Sequence, residues 1–168
     1  MGIILSKSFI KLITILLILH AQFFWSQPAL PQRSLTLNPT QELFFGKFYD
    51  RGNGGSISVD WQGNRTTSGD TVAVPSSFGT PALFDIKLCQ GRTVTITYQP
   101  TVTLEGSNGG SFNLDIGPTE KGENGATFAT ENNCNFITIL RVGGTLHIPA
   151  GSPPGDITGT FEISFDQQ

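Results

Sequence analysis

The sequence predicts an all-β fold, with about nine short strands packed as two sheets. Three observations carry this. Apolar residues recur at every second position along most of the chain after residue 42. Turn-forming residues return about every 8–12 residues. No stretch of about ten residues combines helical period with good helix formers. The 20 Gly and 10 Pro among 168 residues agree, because both disfavour helix interiors.

The N-terminal stretch differs from the rest. Lys7 and Lys11 precede an apolar run, Leu12 to Leu19, which continues through His20 and Ala21 to Phe23-Phe24-Trp25. The run is short against the about 20 apolar residues that a spanning helix needs. It fits the core of a secretory signal. A cleaved signal peptide is therefore expected over residues 1–29, with Ala21 and Ala29 as small-residue cleavage candidates. An uncleaved signal anchor is the rival. Residues 30–41 read as an extended leader: Pro31 and Pro39 disfavour helix and central strand, and Leu35 and Leu37 alternate with polar neighbours. Such a tail suits an edge of its own domain or of a neighbour.

Residues 42–168 are expected to form a single β-sandwich. The first strand is placed at Leu43–Tyr49, with a turn at Asp50–Gly55. Ile57, Val59 and Trp61 then alternate with polar residues, and Trp61 is expected in the core. Val72 and Val74 follow, ended by Pro75. Phe84, Ile86 and Leu88 make the next strand, then Val94, Ile96 and Tyr98, then Val102 and Leu104. Asn108-Gly109-Gly110 turns the chain into Phe112, Leu114 and Ile116. After a Gly-rich polar stretch come Ile137–Val142, Leu146–Ile148, and a closing strand with Phe161, Ile163 and Phe165 on one face. Strands with one apolar face bury it by packing sheet on sheet. An immunoglobulin-like sandwich fits the spacing, with a small barrel or jelly roll second.

Charge excludes several functions. Ten basic and thirteen acidic residues give a net charge of −3. Residues 1–29 hold Lys7 and Lys11 and no acid, so their removal leaves eight basic and thirteen acidic residues, net −5. No basic stripe with interleaved aromatics exists, which argues against nucleic acid as a partner. No membrane span is expected once the signal is removed. The two cysteines, Cys89 and Cys134, stand 45 residues apart. Export would place them in an oxidising compartment, so a disulfide is expected, stabilising by about 2–4 kcal/mol. Buried free thiols are the rival, and the spacing is not that of a redox motif.

Candidate chemistry is sparse. His147 is the one histidine after residue 20, and its neighbours on an alternating strand place it on the solvent face. A nucleophile–base pair is not evident. One His and two cysteines do not make a zinc site. Asp50, Asp60, Asp70 and Asp115 lie near Gly-rich turns, yet no calcium-loop spacing is present, and they read as turn acids. Glu42, Glu105, Glu131 and Glu162 offer no pair singled out by spacing for glycoside hydrolysis. The Gly52–Gly55 and Gly106–Gly110 pieces lack the lysine and helix of a phosphate loop. No cofactor, no metal and no catalytic residue are expected.

Several motifs resemble those of the bacterial DUF4402 family. They are Phe45-Gly46-Lys47-Phe48, Gly54-Gly55 with Ser56-Ile57-Ser58-Val59, and Gly63-x-Arg65. Near the end stand Val142-Gly143-Gly144-Thr145-Leu146 with Pro149, and Pro154-Gly155-Asp156-x-x-Gly159-x-Phe161-x-Ile163. The resemblance covers most of Leu35 to Gln167. It implies an exported, immunoglobulin-like, pilin-like domain. Many relatives lack cysteines, so Cys89 and Cys134 depart from the pattern. The function expected is a non-catalytic structural or adhesive protein, secreted, periplasmic or on the surface of a bacterium, akin to a fimbrial subunit. Its partners would be copies of itself or other surface subunits, with Leu35 and Leu37 as donor-strand residues. The alternative is a soluble carbohydrate- or protein-binding module.

Overall fold

A computed structural model describes residues 35–88, 92–131, 133 and 135–167. The expected signal peptide and residues 30–34 of the leader lie outside the described residues. The rest is all-β. The strands are β1 (Thr36–Gln41), β2 (Phe48–Val59), β3 (Arg65–Ala73), β4 (Ala82–Lys87), β5 (Thr93–Tyr98) and β6 (Thr101–Gly106). They continue with β7 (Ser111–Thr119), β8 (Thr127–Ala129), β9 (Thr138–Ile148), β10 (Ile157–Thr158) and β11 (Ile163–Gln167).

Eight strands form a curled main sheet in the order β1-β4-β9-β7-β6-β10, with β2 pairing both β9 and β3. Three form a smaller sheet, β11-β5-β8. All pairings are antiparallel. This arrangement is consistent with a β-sandwich.

The core follows from period two. Val94, Ile96 and Tyr98 of β5 are buried, as are Ile57 and Val59 of β2 and Phe112, Leu114 and Ile116 of β7. Leu140, Val142, Leu146 and Ile148 of β9 join them. Each such side chain taken fully out of water contributes about 1.5–3 kcal/mol. Phe84 and Phe161 meet edge to face, with ring centroids 6.3 Å apart, a geometry that their quadrupoles favour.

β9 organises the main sheet. On one side it pairs β4 through Thr138–Val142 and then β2 through Gly144–Ile148. On its other side runs β7. Gly143 is the crossing point between the two successive partners. A Cβ there would stand 2.6 Å from the carbonyl oxygen of Val59 and 3.0 Å from the Asp60 backbone. Only a residue without a side chain allows so close an approach.

The structure corrects several expectations. Eleven strands appear among the described residues instead of about nine. β8 and β10 are too short to leave a sequence pattern, and β3 extends through the polar run Thr66–Asp70 because backbone pairing with β2 does not require apolar side chains. The turn expected at Asp50–Gly55 is a bulge inside one long strand, β2. Gly143-Gly144 does not interrupt β9. Trp61 stands partly exposed in the turn after β2, outside the core cluster, because Asp60 ties that turn down through hydrogen bonds to residues 62 and 64.

The disulfide expectation is also corrected. Among the described residues no disulfide bond is found, and Cys89 and Cys134 themselves lie outside them. The β4–β9 ladder closes the same stretch of chain through pairs from Ala82↔Val142 to Ile86↔Thr138. Among the described residues, no helix is long and apolar enough to cross a membrane.

Candidate functional site

Three regions of the surface carry more than solvated loops: a polar sheet face, an open edge, and a bulge with buried oxygens. The polar face lies on the outer side of the main sheet. Strand register builds two rows across five strands, β3-β2-β9-β7-β6. One row is Ser68, Ser56, His147, Asn113 and Thr103; the other is Thr66, Ser58, Thr145, Asp115 and Thr101. Residues two apart on each strand share a face, so the rows are parallel. Neighbours within a row stand about 4.8 Å apart, and the rows about 6.6 Å.

Cross-strand hydrogen bonds knit the rows. Ser56 and Ser68 hydroxyls meet at 2.9 Å, and Ser58 meets Thr145 at 2.9 Å. Thr101 donates to Asp115 Oδ1 at 2.6 Å, and His147 Nε2 stands 2.7 Å from Asp115 Oδ2. The Asp115 carboxyl is held below its ordinary value of 3.8, first by the Thr101 hydroxyl and then by His147. Ser56 is the register partner of His147, so serine, histidine and aspartate do occur side by side. The side chains of His147 and Asp115 are 48% and 50% exposed, however, and the Ser56 hydroxyl is engaged by Ser68. Water competes at every point of such a set, and it lacks the hydrogen bond from nucleophile to base that activation needs.

The open edge is β1. It pairs β4 from Thr36↔Lys87 to Gln41↔Leu83, with a register shift between Pro39 and Gln41. Five of its six residues are exposed. Leu35, just before the strand, packs against the core, while Leu37 is 39% exposed at its margin. Both sequence-predicted donor residues thus lie at this edge: Leu37 pairs Ile86 within its own chain, and Leu35 stands just before the ladder. Phe136 and Ile137, just before β9, and Ile139 of β9 are exposed apolar residues. An open cleft of about 500 Å³ lies elsewhere, lined by Tyr98, Val102, Phe161, Glu162 and their neighbours. Its only acid is Glu162.

The acids singled out in the sequence separate. Asp60 caps its turn, accepting from the Gln62 and Asn64 backbone at 2.9 and 2.8 Å. Asp115 belongs to the polar face. Asp50 and Asp70 both belong to the β2–β3 bulge, where Asp50 accepts from the Gly52 and Gly54 backbone and Asn53 Nδ2 donates to Asp70 Oδ2. Glu42, Glu105, Glu131 and Glu162 are exposed at separate places. Among the described residues, no three of His, Cys, Asp and Glu are grouped to hold a metal ion.

The rows were missed in the sequence because register between distant strands is not local. Their signal was present in pieces: Ser56/Ser58, Thr101/Thr103, Asn113/Asp115 and Thr145/His147 each mark the polar phase of an alternating strand.

A family model described as a domain of unknown function (DUF4402) matches residues 35–166. No curated protein and no solved structure matches the chain.

Proposed function

We propose that this chain, which belongs to the DUF4402 family, is an exported, non-catalytic structural or adhesive protein of the bacterial surface, a pilin-like and immunoglobulin-like subunit. It acts by strand pairing and surface contact. The observation that carries the reading is β1. This strand sits at the end of the main sheet with β4 as its sole neighbour among the described residues, and its side chains lie almost wholly outside the core. A strand so placed makes the same contacts on a second copy as on its own domain, so exchange between copies costs little. The exposed apolar residues Phe136, Ile137 and Ile139, at and just before the start of β9, offer adhesive contact area.

The test is a denaturing gel of native surface and periplasmic fractions, boiled and unboiled. A ladder that collapses on boiling supports strand exchange. Replacing Leu35 and Leu37 together by Asp is expected to remove the ladder while leaving the monomer band. A monomer band alone in both wild-type lanes refutes the reading. It would favour the soluble binding module instead, for which the two hydroxyl rows are the supporting surface.

A further inference from the structure

At the β2–β3 bulge, β2 spends four residues, 51–54, opposite the single residue Asp70 of β3. The flanking pairs are Asp50↔Thr71 and Gly55↔Gly69. Asp50 Oδ2 folds the excess inward by accepting the backbone N–H of Gly52 at 2.9 Å and of Gly54 at 3.1 Å. Asn53 closes the arch onto Asp70.

Two oxygens remain. Asp50 Oδ1 and Thr71 Oγ1 are both buried and have no hydrogen-bond partner among the described residues. Thr71 is 3% exposed. As register partners the two side chains share one side of the ribbon. Thr71 Oγ1 also lies against Gly55, where a Cβ would come within 2.7 Å of it; glycine keeps that approach open. A buried carboxylate oxygen without a donor is costly. The adjacent Arg51 is exposed and makes no ion pair among the described residues. Two such oxygens on one side of one bulge, with the Asp70 carboxylate tied to the arch through Asn53, call for one shared positive partner.

We propose that the bulge is a binding site for a hard divalent cation of the calcium class, held by Asp50 Oδ1 and Thr71 Oγ1 with Asp70 and Asn53 at the mouth. Calcium accepts mixed carboxylate, hydroxyl and amide oxygens in irregular geometry, whereas magnesium demands a near-ideal octahedron. With two carboxylates, the affinity belongs to the weak class of extracellular modules, with Kd about 10⁻⁴–10⁻³ M. The site is independent of strand exchange by β1.

The probe is terbium, read by luminescence excited through Tyr49, the residue next to Asp50, together with thermal unfolding of the same protein in calcium or magnesium. Terbium emission is expected to rise and to be displaced by calcium. The unfolding midpoint is expected to rise by about 4 °C at about 10 mM calcium, and less in magnesium. Asp50→Asn should abolish both effects. Asp70→Asn should weaken terbium binding about tenfold, and it remains informative if Asp50→Asn does not fold. Asp166→Asn is the control that changes neither. Wild-type protein indifferent to calcium in both assays overturns the proposal and assigns the bulge to a bridging water. So does calcium binding that survives Asp70→Asn unchanged.

Discussion

Replacing Gly143 by alanine tests whether the β9 crossing holds the main sheet together. The added methyl would stand 2.6 Å from the Val59 carbonyl oxygen and 3.0 Å from the Cα and carbonyl carbon of Asp60. All three obstacles are backbone, so no side chain can rotate away. The φ of Gly143 is not left-handed, so the cost is one of contact and not of backbone preference. Relief requires β2 and β9 to separate where β9 changes partner. Overpacking of this kind costs about 1–3 kcal/mol, and the pairs Val59↔Gly144 and Ser58↔Thr145 lie next to the point of separation. A loss of about 2–3 kcal/mol is therefore expected from urea unfolding, a large share of the about 5–15 kcal/mol of a typical domain. Gly109→Ala is the matched control. Its φ is +86°, but a Cβ there meets nothing within 4 Å, so it should cost about 1 kcal/mol through conformation alone. The reasoning fails if Gly143→Ala loses no more than Gly109→Ala.

Two further outcomes are expected. Because Asp115 titrates below its ordinary value of 3.8 when folded, its contribution to stability is fully present above that value and is lost as pH falls through the folded one. Urea midpoints at pH 6 and pH 3 should differ less in Asp115→Asn than in wild type, and equal differences would remove the carboxylate from the explanation. Leu140→Ala, at a position with no exposure, should cost about 2–5 kcal/mol by calorimetry or urea unfolding; a loss under about 1 kcal/mol would mean the core between the sheets collapses freely around it.

The parts of the fold that could be read from sequence are those whose information is local. β5, with Val94, Ile96 and Tyr98 inward, and β7, with Phe112, Leu114 and Ile116, alternate cleanly because one face is buried. Of β3 only the end at Val72 could be read, since Thr66, Thr67 and Ser68 are all exposed and backbone pairing with β2 holds them in place. The path of β9 was hidden by Gly143-Gly144, which reads as a break until the close approach of Val59 is known. At the candidate sites, Leu35 and Leu37 could be placed on an extended leader, but not which strand they join. Asp50 could be placed at a turn, but its unpartnered oxygen depends on Thr71, brought opposite by register. The same holds for His147 and Asp115, 32 residues apart in sequence.

The central place of β9 also sets the order in which the molecule can assemble. The β2–β3 and β6–β7 hairpins join neighbouring segments and can close as soon as they exist. The strands that unite them cannot: Ser58 waits for Thr145, 87 residues later, and Ala82 waits for Val142. Closing such long loops before any reward is collected makes folding slow. A chain growing from its N-terminus therefore carries two separate hairpins and a separate β1–β4 pair until its last fifth emerges, and only then does one strand gather them into a sheet.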